Sequence, residues 1–420
     1  MTGSKYILIL VKMMTYTGKQ SVWIRRQAQI LAAVILSCMT AIPGIAAFNP
    51  PAVNEPQANT AHERRKSLGP YTMYEQIVYK AKQQRILTWL ADDMNKGRAS
   101  GTRDCQRAAW YIADRFRTYG LVPLFGDSFF QPFPVLTDEN CVRTETEDSE
   151  TTDFKEHTAA TAGRNVVGVI RAAVPSDEYV LITAHYDHLG VLDGNIYNGA
   201  DDNASGVTVL LNLADMFGTM KKTKTGPDKN IIFAALDAKE LNMAGSKALV
   251  HKLLSEEEST AYTTSYTTDP TAATAADWAD SVSSLEEDFP GIPKDRIICA
   301  INIDQIGTVL EPVHEADTNF VIVLGENTLH KKHRGLIDMC NRYYNIGLDI
   351  DHTFYGSEKF TDLFYRLSDQ IVFHEAGIPS LIFTSGFHRH TYKTTDDPDI
   401  ISYPVMKKRT ILIFYLTLML

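Results

Sequence analysis

Tyr179-Val-Leu-Ile-Thr-Ala-His185-Tyr-Asp187-His188 is followed, after a short loop, by Gly199-Ala-Asp201-Asp202-Asn203-Ala-Ser205-Gly206. The first half is an apolar run with β-branched residues, ending in a histidine and a nearby aspartate. The second is a polar, glycine-bounded turn that carries two more aspartates and opens an apolar helical pattern. That combination suits a metal site at the carboxyl end of a buried strand. The His185 imidazole can bind an ion, and Asp187 can hold its other ring nitrogen. Asp202, at a helix start, can bridge two ions. A polar loop on an α/β sheet accounts for these residues equally well.

The same arrangement recurs downstream. Ile231-Ile-Phe-Ala-Ala-Leu236 reads as a buried strand running into Asp237-Ala-Lys239-Glu240. Ile297 to Ile303 is another, ending in Asp304-Gln-Ile-Gly307, and Pro379 to Phe383 a fourth, followed by Gly386, His388, His390, Tyr392 and Asp396. Ligands of open α/β sheets sit beyond the carboxyl ends of the strands, and chance placement of acids would not favour those ends so consistently. The fold expected is α/β, with a central mixed, largely parallel sheet and helices on both faces.

On these residues the chain resembles the M28 family of zinc aminopeptidases and, more distantly, the glutaminyl cyclases of the same fold. The resemblance runs from about Tyr74 to the C-terminus. It rests on His-x-Asp, Asp-Asn-Ala-Ser-Gly, Glu240 ahead of Gly245-Ser246, Asn-Ile-Asp-x-Ile-Gly, and a late histidine near Thr and Asp. It implies one or two zinc ions and a peptide or amino-acid amide substrate. One ion would be held by His185, Asp202 and Asp304, the other by Asp202, Glu240 and the late histidine.

Two departures matter more than the matches. The family has Glu-Glu where this chain has Lys239-Glu240, so the ligand position is kept and the general-base position holds lysine. The last ligand depends on the register: anchored on Gly386, His388 and Asp396 it falls on Tyr392, and anchored on the His-Thr pair it falls on His390. Tyrosine is a poor zinc ligand beside imidazole, so His390 is the expected one. Gln370 also stands where a family loop has His, which would alter a substrate-facing contact. Lys239 can be a neutral acceptor, an ammonium replacing one metal's charge, or a bystander while an acid such as Asp237 serves as base; an acidic pocket favours the ammonium. The chain is thus expected to be a zinc aminopeptidase or related amide hydrolase with an altered base. The alternative is a catalytically impaired metal- or peptide-binding protein. Glutaminyl cyclisation fits less well, because Asp202-Asn203-Ala-Ser-Gly has the two-metal peptidase form.

The 420 residues, 44% hydrophobic and 22% charged, are ordinary globular material. A net charge of −10 without basic-aromatic runs argues against a nucleic-acid partner. Of five cysteines, Cys38 lies in the targeting segment, and Cys105, Cys141, Cys299 and Cys340 lack metal-type spacing; a Cys105–Cys141 bridge requires an oxidising compartment. Arg25-Arg26 precede the apolar Ala28 to Ala47, with small residues at Gly44 and Ala46, so residues 1–47 read as an export signal cleaved after Ala46. The protein is therefore expected in a periplasmic or extracellular compartment, with no membrane span once mature. Lipoprotein anchoring at Cys38 and a retained anchor are the rivals. Residues 48–69 read as a linker and 70–420 as one domain, with Thr- and acid-rich insertions at about 137–163 and 255–289. Helices are expected over Tyr71–Asn95, Cys105–Tyr119, His330–Tyr344 and the C-terminal apolar run from Val405. Gly97-Arg98 and Gly101-Thr102 resemble an early family loop, and a tight interhelical turn explains them as well. His388 is read as supporting a ligand, His188 and His374 as packing, and His62, His157, His251 and His314 as surface.

Overall fold

The computed structural model describes residues 69–136, 160–255, 257–260, 262, 289–311, 314, 317–354 and 356–420. The targeting segment, all but the last residue of the linker, Cys141 and most of both insertions lie outside them. In chain order the strands are β1 (Val122–Pro123), β2 (Phe130–Leu136), β3 (Ala160–Ile170), β4 (Tyr179–His185), β5 (Gly190–Leu192), β6 (Asn195–Tyr197), β7 (Asn230–Leu236), β8 (Ile297–Ile303), β9 (Phe320–Leu324), β10 (Asp349–Asp351) and β11 (Ser380–Thr384). The α-helices are α1 (Lys80–Leu90), α2 (Arg103–Tyr119), α3 (Gly206–Lys222), α4 (Ala244–Leu253), α5 (Leu336–Tyr343), α6 (Glu358–Tyr365), α7 (Gln370–Glu375) and α8 (Tyr403–Met419).

The main sheet has the order β1-β3-β7-β4-β8-β11-β9-β10, with β2 also paired to β3. Its four central strands, β7, β4, β8 and β11, are parallel. β3 adds antiparallel on one side and β9 antiparallel on the other. The sheet is therefore mixed with a parallel centre. Such strands are covered on both faces, which is why they read as unbroken apolar runs. Along β7, Ile231, Phe233 and Ala235 enter a core shared with α1, α2, α3 and α8, while Ile232, Ala234 and Leu236 enter a second core with α4 and α7. Because the central strands are parallel, all their carboxyl ends meet at one edge, and every chemistry-bearing segment follows such an end.

Local signals set the helix limits. Thr102 caps α2 by accepting from the Cys105 amide at 3.2 Å, and Gly120, at φ +87°, ends it. The stretch expected as one helix over Tyr71–Asn95 is α1 flanked by two 3₁₀ segments, Gly69–Ile77 and Asp93–Arg98. The helix expected from His330 starts only at Leu336, because Gly335 takes a left-handed conformation just before it. β3 begins at Ala160, inside the expected insertion, and pairs with β2 from there. The C-terminal apolar run is α8, buried in the first core with Pro404 in its first turn. No helix among the described residues is long and apolar enough to cross a membrane.

Candidate active site

The turn that carries Asp202 is held from three sides. The Asp396 carboxylate accepts the amides of Asp201 and Asp202 at 2.8 and 3.0 Å. Asn203 donates to the Ile303 carbonyl at 2.8 Å and accepts from the Gln305 amide at 3.0 Å, which clamps the turn to the end of β8. Gly199, at φ +57°, has no room for a side chain: a Cβ there would strike the Asp202 carbonyl and the His188 ring. Behind the turn, the wholly buried guanidinium of Arg98 donates to the carbonyls of Leu90, Tyr186, Asn198 and Gly199. One side chain thus ties α1 to both loops that carry candidate ligands, in the fork geometry peculiar to arginine.

Asp187 does more than face His185. Its carboxylate accepts the backbone amides of Lys239 and Glu240, each at 3.1 Å, and so fixes the loop after β7. Nδ1 of His185 lies 3.1 Å from the Asp187 carbonyl and 3.6 Å from its carboxylate. That leaves Nε2 of His185 facing the centre, 3.3 Å from both Asp202 Oδ1 and Asp304 Oδ1. One donor atom each from His185, Asp202 and Asp304 lies within 4.8 Å of the others, and so does one each from His188, Asp202 and Glu240. Both carboxylate oxygens of Asp202 are buried with no hydrogen-bond partner, as are Oε2 of Glu240 and both ring nitrogens of His188. Burying polar atoms unsatisfied is costly, and an absent ion is one of the few explanations. His, Asp and Glu are the donors of a divalent transition metal, so the residues present fit one.

Lys239 enters the same centre. Its Nζ lies 3.1 Å from Glu240 Oε1, 3.9 Å from both Asp202 Oδ1 and Asp304 Oδ2, and 3.4 Å from the Tyr392 hydroxyl. Burial alone would lower its pKa, but the charges of Asp202, Glu240 and Asp304 outweigh that and hold it well above the usual lysine range. That field favours the ammonium form. Burial pushes Glu240 up to about 7 against the pull of Lys239. Asp202, despite its burial, is held low by Lys239 and the neighbouring histidines.

The structure brings together His185, Asp187, Asp202, Lys239, Glu240 and Asp304, and it corrects the late ligand. His390 stays outside the cluster: its ring bonds Thr395 and Arg389. Tyr392 stands there instead, its ring parallel to that of His188 at 6.3 Å between centroids. His188, read as packing, is buried beside Asp202 with its pKa pushed down to about 3 by that burial, which keeps the ring neutral. His388 reaches Asp201 rather than a candidate ligand, at 3.0 Å. His314, expected at the surface, bridges Glu311 and Asp351. Gln370 is buried and bonded to Asn302, not turned toward a substrate. Asp237 accepts from the Cys105 thiol at 3.4 Å and from the Arg164 amide at 2.9 Å, away from the donor groups, and the Cys105–Cys141 bridge falls outside the described residues. Asp396 and Arg98 had no sequence signal for their roles, because each acts on backbone groups distant along the chain.

Lys239, Asp304 and Tyr392 line one pocket together with the polar Gln305, Ser368 and Thr384 and the apolar Leu324, Phe354, Phe364, Ile382 and Phe387. The chemistry and the apolar side chains therefore share one opening.

Comparison with known proteins places this geometry. Aminopeptidase NAALADL1 of Mus musculus is 37% identical over 101 residues, 23% of this chain but only 13% of that protein's length. In three dimensions the chain is similar to LapB from Legionella pneumophila, with a TM-score of 0.53 at 17% identity, covering 83% of this chain and 74% of that one. It is also similar to Fimbriiglobus ruber glutaminyl cyclase, at 0.54 and 16%, covering 82% and 96%. At those identities the likeness is one of fold. The family model described as Peptidase family M28 matches residues 165–417. That span runs from the middle of β3 to near the end of α8 and includes every strand end that carries a candidate donor, so the chain belongs to peptidase family M28.

Proposed function

We propose that the chain is a zinc-dependent amide hydrolase, acting as an aminopeptidase on peptides or amino-acid amides, with its base position altered. The observation that carries this reading is the convergence of His185, Asp202 and Asp304 beside a partly apolar pocket. Those three residues would hold one zinc ion. When bound, the ion supplies a Lewis acid for the scissile carbonyl and lowers the pKa of a water. The pocket's apolar residues suit an apolar substrate side chain, and the buried carboxylates suit its α-amino group.

Lys239 changes what the protein itself contributes. As a fixed ammonium on the pocket wall it can donate to negative charge developing on the carbonyl oxygen. It cannot accept a proton. A positioned general base is worth roughly 10²–10⁴ in rate, so turnover is expected to be slower than with a carboxylate there. A second reading, metal-dependent peptide binding without turnover, is favoured by the 3.1 Å Lys239–Glu240 ion pair, which engages the only other carboxylate of that loop facing the centre. Export from the cytoplasm is part of the proposal and rests on the sequence of residues 1–47 alone.

Hydrolysis of aminoacyl-p-nitroanilides by the wild type and Lys239→Glu, with zinc content measured in parallel, tests the proposal. Hydrolysis by the wild type that EDTA abolishes, together with a gain of about 10²–10⁴ in Lys239→Glu, is expected. Zinc uptake without turnover in either protein would favour the binding reading. Efficient wild-type hydrolysis that Lys239→Glu slows would make Lys239 a working catalytic group.

A further inference from the structure

Asp202 is two-sided. Its Oδ1 faces His185 and Lys239, while Oδ2 faces His188, whose Nδ1 is 4.0 Å away. That separation is too long for a hydrogen bond. Glu240 divides in the same way: Oε1 pairs with Lys239, and Oε2 is buried without a hydrogen-bond partner. His188 adds two more buried nitrogens with no such partner. One donor atom from each of the three residues lies within 4.8 Å of the others. Their exposures are 1%, 0% and 8% for His188, Asp202 and Glu240, so water does not satisfy them from outside.

We infer that His188, Asp202 and Glu240 form a second divalent-cation site, in which His188 supplies the imidazole that Tyr392 lacks. The inference rests on the zinc reading of the first site, with which it shares Asp202. Donors about 2.1 Å from a zinc ion sit about 3.4 Å apart in a tetrahedral arrangement, so the three groups need only close in modestly. Each is held from behind through its backbone. The His188 amide donates to the Arg98 carbonyl at 3.2 Å, the Asp202 amide to Asp396 at 3.0 Å, and the Glu240 amide to Asp187 at 3.1 Å. Gly199 leaves the space that the His188 ring occupies. Tyr392 lies parallel to that ring, a packing contact that leaves the edge nitrogens free. The Lys239 ammonium, already paired with Glu240, repels a cation here, so this site is the weaker of the two and exchanges more readily.

Zinc titration of the full chain by isothermal calorimetry, with metal content after dialysis and Co(II) visible absorption as second readouts, tests the inference. Wild type is expected to bind two ions in two steps, the second at least about tenfold weaker. His188→Ala removes the weak step and leaves the tight one, whereas His185→Ala removes the tight step. Lys239→Met strengthens the weak step about tenfold or more, and His390→Ala changes neither. Should His188→Ala fail to fold in EDTA, His188→Gln takes its place, and the Lys239→Met titration reads the same site independently. A wild type that binds one ion, lost in His185→Ala, would overturn the second site and leave the first intact. Two steps that both survive replacement of His188 would do the same. No zinc uptake by wild type, or a tight step indifferent to His185→Ala, would overturn the zinc reading itself.

Discussion

Removing the charge of Lys239 without adding another isolates what that charge does in the metal-free protein. Lys239→Met keeps most of the apolar stem and deletes the ammonium. Its Nζ is 3.1 Å from one carboxylate oxygen and 3.9 Å from two others. A charge pair near 4 Å is worth about 4 kcal/mol at an effective dielectric constant of about 20. Burying the ammonium offsets much of the sum of three such pairs. What the variant loses is the compensation of carboxylates that remain buried, and breaking a buried ion pair from one side costs about 3–5 kcal/mol. With an unfolding entropy of about 2.1 cal/mol/K per residue, a domain of about 350 residues shifts by about 1.4 °C per kcal/mol, so the EDTA-treated variant should melt roughly 4–7 °C below wild type. Under the proposed zinc reading, an ion that binds only the folded chain stabilises it by mass action, and its charge replaces the missing one. Saturating zinc should therefore raise the variant's melting temperature more than that of wild type and narrow the gap. Differential scanning fluorimetry in EDTA and in zinc reads both effects. A variant that melts with wild type in EDTA would refute the reasoning, since Lys239 would then not balance the cluster.

Arg98→Met should destabilise the protein by at least about 2 kcal/mol in urea unfolding, because the Tyr186 and Asn198 carbonyls lose their donor, those of Leu90 and Gly199 lose one of two, and each unsatisfied group costs about 1–3 kcal/mol. Arg98→Lys should rescue only part, since one ammonium cannot reproduce the fork. His314 is 2.7 Å from Glu311 and 3.4 Å from Asp351; although burial opposes the charge, these carboxylates raise its pKa to about 9. A raised folded pKa stabilises fully below the unfolded value near 6.5 and fades as pH rises through about 9. Wild type should therefore exceed His314→Gln in stability at pH 6 and lose most of that advantage by pH 10, as chemical denaturation at the two pH values would read.

Much of the chemistry was legible along the chain because it is local. The central strands are mostly apolar, as burial on both faces demands, and three of the four lead into a candidate donor: His185 at the end of β4, Glu240 in the loop after β7, Asp304 directly after β8. Parallel pairing then needs no further information to bring those ends to one edge. What the sequence could not decide depends on contacts between distant segments. His390 and Tyr392 are two residues apart, and only the loop's conformation, with Tyr392 at φ +57°, decides which faces the centre. His188 looks like any polar loop residue until the Gly199 turn packs against its ring and Asp202 and Glu240 arrive from elsewhere in the chain. The backbone bonds by which Arg98, Asp187 and Asp396 hold the site use groups every residue carries, so no residue pattern announces those bonds, although His-x-Asp singles out Asp187 itself. The apolar strands and their acidic ends thus pointed by themselves to the fold and to the first candidate donor set. The second donor set was decided only by folding, because it depends on the geometry of residues far apart in the chain, whereas the ammonium at Lys239 was already favoured by the acidic residues the sequence places around it.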